Sequence, residues 1–576
     1  MLILLTIFLL IFTPLAMLIL HLVRPKFSIQ GFLVVLAALA GWIMVLLARS
    51  GSTQVISLLP WDTASSLLDS PSLIIDQTSW YFSLALMSLS FSVIITSIAQ
   101  LGQSFKPDQT QNLEQIKINE TQQLTDEEKS TPETAGKSNV DATSNWQIWA
   151  GILIITSLGI VAVTAGNMLT LLLAWAALDV IELLILMSQV LDHKLRERIV
   201  LAFTARMAGI GAVLLAATIP WSQGLSLSFN NISPTTSIYL IIAAGLRLGI
   251  IPLHLPYKQV FPLRRGLGTI LRLVPAAASY ILLVRVANLG VLGASTPYLL
   301  ILTALVGLYA AINWMTARDE ITGRPYWLLG TASLAIASAI MNQPVACLAW
   351  SIASVLSGGL IFSMFLRHKN LIPIALLGII NLSALPFTPT WRGTTIYTYA
   401  GTLSNTIPPQ FFYLQSIAFI LINAFLLAGF IRHTFRVFFP SEAPTKGHIE
   451  RWVWFVYPFG LVFILLTHFL IGFWSYPGIN DVALPGWIMG LVVVIISGII
   501  WYISWHPPLN IAHKAPSGKP SPTLHLLSLE WLYRYFWRIF RLLTRLSSLF
   551  STILEGDGGI LWALVLFALI FVFLQR

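Results

Sequence analysis

Asp179 and Glu182 stand three positions apart inside the apolar run 167–190. On a helix that spacing sets both carboxylates on one face, one above the other. Two acids so close do not both ionise cheaply in a low-dielectric setting unless cations compensate them. The cations on offer are Arg206 in the next apolar run, then Arg247, then Arg272 and Arg285 on either side of Pro275. Arg247 precedes Pro252 by five positions and His254 by seven. A charge at bilayer depth costs about 2.5–3.5 kcal/mol on insertion scales, so each such residue marks a candidate site. The chemistry these types support is proton or ion relay. The carboxylates would bind and release protons, and His254 is a candidate exit group. Arginine keeps its proton, so Arg206, Arg247, Arg272 and, farther along, Arg392 can bias the carboxylates but cannot pass a proton on. The competing reading of the same residues is a static charge network that holds helices in register.

The elements that must position these residues are membrane helices. Of the 576 residues, 56% are hydrophobic and 10% charged; soluble domains carry roughly a quarter charged. Apolar runs of about 20 residues, enough to cross a bilayer, recur along nearly the whole chain. Breaks at charge clusters, glycine and proline divide them into about sixteen. The chain therefore reads as an all-α polytopic membrane protein. Its first run, 2–23, is followed by Arg24 and Lys26 without a small-residue cleavage site, and is read as a span and not a signal peptide. Cys347, the one cysteine, cannot form an intrachain disulfide, a zinc site or an iron–sulfur site. Nothing resembles a nucleotide loop. No cofactor and no metal is expected, and any redox chemistry would belong to other chains.

Charge orients the bundle. The odd-numbered connections carry Arg24 and Lys26; Lys194, Arg196 and Arg198; Lys258, Arg264 and Arg265; Arg318 and Arg324; Arg367 and Lys369; Arg432, Arg436, Lys446 and Arg451. The even ones are nearly free of Lys and Arg. The positive-inside rule makes the odd set cytoplasmic and places both termini outside. The net charge of +10 is then a topology signal, not a sign of nucleic-acid binding.

Divisions follow from composition. Residues 1–101 hold the N-terminal spans and, at 51–78, strand-like runs between turn formers such as Pro60-Trp61-Asp62 that suggest an outer hairpin. Residues 102–146, with four lysines and eight acids, read as a disordered cytoplasmic loop. Residues 147–290 and 297–437 each hold five spans, with breaks expected at Pro252 and Pro386. Proline-broken helices at corresponding places point to two inverted five-helix repeats with sites at the breaks. Two further spans occupy 451–506. In 523–554, Arg534, Arg538, Arg541 and Arg545 form one basic stripe on an aromatic and aliphatic helix, suited to lie in the cytoplasmic interface before a last span at 558–575.

Certain ordered motifs carry a family likeness. Gly245, Arg247, Pro252 and His254 stand where the family has glycine, lysine, proline and histidine; Ser383, Pro386, Phe387 and Thr388 echo its broken helix twelve. Asn167 to Trp175, Tyr280 to Arg285, and Leu59-Pro60-Trp61 to Asp76 match further family segments. On these residues the chain resembles the antiporter-like membrane subunits of respiratory complex I (NADH:quinone oxidoreductase), and the related large subunits of Mrp-type cation/proton antiporters and membrane-bound hydrogenases. The terminal helix and last span resemble the lateral helix of the largest such subunit. The pattern departs at the family's charged positions. Its helix-five glutamate is Ala176 here, with Asp179 one turn on; its lysines fall on Arg247, on apolar Leu271 and Ala276–Ala277, and on Thr394.

The resemblance implies an inner-membrane subunit working with other membrane subunits in a multisubunit complex, translocating protons or exchanging a cation for protons. The relay would comprise Asp179, Glu182, Arg206, Arg247, His254, Arg272 and Arg392. The alternative is a degenerate, non-conducting scaffold that docks partners. A third reading, a transporter coupled to inorganic carbon or another ion by a soluble partner at the cytoplasmic face, is not separated from these by sequence.

Overall fold

The computed structural model describes residues 1–23, 27–49, 53–57, 70–101, 103–104, 146–189, 193–229, 232–250, 265–288, 295–365, 368–398, 409–438, 448–449, 451–475 and 484–505, together with isolated positions between 538 and 548. Two units divide at residues 506 and 507. In the second unit the described residues are Arg538, Arg541, Leu542, Thr544, Arg545 and Ser548, all helical and exposed. The rest of the expected lateral helix and the last span 558–575 lie outside the described residues.

The first unit is built from helices because a chain in lipid must satisfy its backbone polar groups internally. Three helices open it: α1 (Leu2–Leu22), α2 (Phe27–Leu47) and α3 (Gln77–Leu101). Five follow: α4 (Trp146–Val163), α5 (Met168–Gln189), α6 (His193–Ser222), α7 (Pro234–Leu248) and α8 (Arg265–Val286). Then come α9 (Thr296–Thr316), α10 (Glu320–Ile340), α11 (Pro344–Ser363), α12 (Ile372–Leu382), the single turn α13 (Thr395–Thr398) and α14 (Pro409–Phe438). α15 (Val453–Ser475) and α16 (Leu484–Trp505) complete the unit. Among the described residues, 12 helices are long and apolar enough to cross a membrane. α3, α8 and α11 are almost wholly enclosed by their neighbours, while α6 and α16 turn most of their apolar surface outward.

One β-hairpin ties the start of the chain to the first half of the bundle. β1 (Gln54–Ser57) pairs antiparallel with β2 (Ser72–Ile75), Gln54 opposite Ile75. Leu73 and Ile75 are buried. β2 is also stitched to the turn between α4 and α5. Ile74 N donates to Thr164 O at 2.7 Å, Gly166 N to Ser72 O at 2.8 Å, and Asn167 Nδ2 to Ser70 O at 2.9 Å. Residues 58–69, with Pro60 and Trp61, lie outside the described residues. At the opposite end, β3 (Gln103–Ser104) pairs with β4 (His448–Ile449), so the polar tract at 102–146 begins in a short strand. Its remaining residues, 105–145, are not described.

Two interruptions fall earlier than the prolines predict. α7 stops at Leu248 because Gly249 takes the left-handed conformation (φ 83°), and Ile250 N returns to Gly245 O at 2.8 Å. That is a glycine cap, which any residue with a Cβ would strain. Pro252 lies outside the described residues. The 15 residues of α7 rise about 22 Å, short of a hydrocarbon core of about 30 Å. The expected span 370–403 is likewise not one helix. α12 ends at Leu382, Ala384 and Phe387 take positive φ (56° and 66°), and a 3-10 turn at Trp391–Thr394 precedes α13. Thr390 satisfies the opened backbone: its Oγ1 accepts from Ala384 N at 3.0 Å and donates to Asn381 O at 2.9 Å. A break inside protein is tolerated when its polar groups are paired in this way.

α10 also starts earlier than hydropathy alone predicts. Asp319 caps it in a reciprocal box with Thr322, and this winds Glu320 and Arg324 into the helix. Arg324, placed by sequence in a connection, is 4% exposed.

Candidate functional site

α5 separates two surfaces. Leu173, Val180 and Leu184 face outward, and Asp179 and Glu182 face the neighbouring helices. α6 supplies Arg206 and α7, in its last turn, Arg247. The four residues are between 1% and 5% exposed. Arg247 grips Asp179 with both terminal nitrogens, Nη1 to Oδ2 at 2.5 Å and Nη2 to Oδ1 at 2.9 Å. Arg206 Nη1 donates to Glu182 Oε2 and lies 3.7 Å from Asp179 Oδ1. Two carboxylates and two guanidiniums therefore make one charge-balanced network. Its geometry follows from the one-turn spacing of the acids and from the early stop of α7, which leaves Arg247 at the helix end.

Two residues that shape this network carry no charge. Trp175, one turn before Asp179, lays its ring under the Arg247 guanidinium at 4.3 Å and donates its Nε1 to Ala278 O on α8 at 3.2 Å. A buried cation over an indole face gains electrostatically from the ring. Gly209, on α6, lets the Arg247 stem pass: a Cβ there would come within 2.6 Å of Arg247 Cγ and 3.1 Å of Ala243 O. Sequence reasoning did not single out Gly209. Its position three residues after Arg206, on the same helical face, is the one signal that was available.

The remaining expected site residues fall elsewhere. His254 is outside the described residues. Arg272 is half-buried on α8, within electrostatic range of Arg324. Arg392 is buried in the 3-10 turn after the second break. Arg285 serves α4: it donates to Ala165 O and, at 3.4 Å, to Val163 O, and stacks on Phe229. This secures carbonyls at the end of α4, as a cation at a helix C-terminus does. Between the halves runs a row of hydroxyls, Tyr280 to Ser354 at 2.9 Å and Ser354 to Thr331 at 2.7 Å. Beyond it the chemistry changes, because residues 321–441 contain no aspartate or glutamate. Among the described residues, no three His, Cys, Asp or Glu side chains gather as metal ligands.

No protein-family model matches the sequence, and no curated protein matches it. Solved structures do. A chain of the membrane-bound sulfane sulfur reductase, an archaeal respiratory membrane complex, aligns at TM-score 0.65 and 14% identity over 98% of this chain and 99% of that one. A chain of the Mrp complex from Dietzia sp. DQ12-45-1b aligns at 0.66 and 12% identity, covering 100% of this chain and 63% of that one. A chain of respiratory complex I from Thermus thermophilus aligns at 0.55 and 14%, covering 85% and 98%. At these identities the likeness is one of fold. With its apolar helices and these alignments, the chain is a multi-pass, all-α membrane protein that shares its fold with a membrane chain of each of these three complexes.

Proposed function

We propose that this chain is an antiporter-like subunit of a multisubunit inner-membrane complex, and that its first half translocates protons or exchanges a cation for protons through Asp179 and Glu182. The observation that carries the reading is the buried four-charge network, since charges at this depth are costly and seldom kept without use. The carboxylates are its titrating groups. Arg206 is the shared cation: it bonds Glu182 while lying 3.7 Å from Asp179. Protonating Glu182 weakens its hold on Arg206 and leaves that cation to Asp179. Arg247 holds Asp179 through two hydrogen bonds, and Trp175 and Gly209 fix Arg247. Other membrane subunits are the proposed partners, with a soluble partner at the cytoplasmic face and both termini outside.

The test is dissipation of a pH gradient in proteoliposomes holding the chain with its co-purified partners. Wild type is compared at matched insertion with Glu182→Gln/Arg206→Gln, which leaves the network neutral. Flux lost in the variant supports the reading; flux retained overturns the relay. One observation favours a second reading, a non-conducting scaffold. Every charge in the network is already paired, and no acid exists in residues 321–441 to continue a path. On that reading neither protein conducts, and both assemble normally.

A further inference from the structure

A second buried cationic group lies at the start of α10, where α8, α10 and α11 meet. Arg265 opens α8 and donates to Met364 O just after α11 at 2.7 Å. It also pairs with Glu320. Arg324, one turn beyond Glu320, is 4% exposed and rests its guanidinium over the Phe362 ring at 5.1 Å. Its Nε and Nη2 have no hydrogen-bond partner. Arg272 and Arg265 both act on it as like charges, against Asp319 and Glu320. Both acids are already engaged, Glu320 with Arg265 and Asp319 in capping Thr322 N at 2.7 Å. Arg324 thus keeps two open donors beside two committed carboxylates, at a helix N-terminus that itself favours an anion.

A buried guanidinium with two free donors carries a desolvation penalty that an anion with several acceptors relieves well. By sequence, the connections entering α8 and α10 and leaving α11 carry Lys258, Arg264, Arg318, Arg367 and Lys369. Nearer the surface, Arg272 is half-buried and the Arg265 side chain is 29% exposed. We propose that this is a phosphate-binding site, with Arg324 as the inner ligand and Arg265 and Arg272 at its mouth. The phosphate is that of an anionic lipid or a free ion. Basic pockets between membrane helices take lipid phosphates in this manner.

The test uses the full chain purified from phosphatidylcholine nanodiscs with or without phosphatidylglycerol, and counts retained lipid by native mass spectrometry. Arg324→Met keeps the volume and the contact with Phe362 while removing a buried cation whose Nε and Nη2 are unbonded, and a thermal melt of the variant in detergent checks that it folds. Wild type should hold phosphatidylglycerol about tenfold more tightly than Arg324→Met, as for one lost charge-assisted contact. Arg324→Lys should fall between them, and Arg436→Gln, the same charge change at an exposed position, should match wild type. If inorganic phosphate binds wild type and not Arg324→Met while lipid retention is equal, the site stands and its ligand is the free ion. Equal binding of both probes by wild type and Arg324→Met overturns the site. So does an equal loss in Arg436→Gln.

Discussion

The pairing of Arg247 with Asp179 makes a prediction that separates charge from packing. Arg247→Gln strands a buried carboxylate and should cost about 3–5 kcal/mol, whereas Asp179→Asn/Arg247→Gln should recover most of that loss. Denaturation in detergent measures both; equal destabilisation would mean that the pair contributes through shape and not charge. Gly209→Ala tests the same spot from the opposite side. The added methyl meets Arg247 Cγ at 2.6 Å, an overpacking that costs about 1–3 kcal/mol and should lower flux in proportion to the displacement of Arg247. At this scale the sequence was informative where charge is rare. Asp179, Glu182, Arg206 and Arg247 stood out because apolar runs make each of them conspicuous. Gly209 and Arg324 did not. A glycine's purpose is set by what passes it, and Arg324 sits where a helix start, not hydropathy, decides burial.

The helices were legible from apolar length, and their interruptions only approximately. Proline flags a break because it lacks a donor, but the chain leaves the helix earlier, at Gly249 in one case and at Ser383 and Ala384 in the other. Thr390 should therefore matter more than Pro386 to the second break. Thr390→Val removes an acceptor and a donor from buried backbone groups and should cost about 1–3 kcal/mol, with Thr390→Ser close to wild type. Thermal unfolding in detergent distinguishes the two. The hairpin makes a parallel case. Asn167→Ala frees the β2 end from the start of α5, and hydrogen exchange at Ser72 and Gly166 should rise while exchange in α8 stays slow.

Across the whole molecule the two halves differ in kind. The first holds paired acids and bases; in the second, residues 321–441 are acid-free and hold Arg392 at the break. If translocation belongs to the first half, Arg392→Gln should leave proteoliposome flux within about twofold of wild type, a change of under 1 kcal/mol, while Glu182→Gln/Arg206→Gln abolishes it. A large loss in Arg392→Gln would place the second half on the path. The network of Asp179, Glu182, Arg206 and Arg247 sums to zero charge. At rest, a shift of the whole network along the membrane normal carries no net charge through a transmembrane voltage. One added proton changes that, since a unit charge crossing the full membrane couples at about 2.3 kcal/mol per 100 mV. Voltage would then drive displacement of the loaded network through its net charge, a term the empty one lacks.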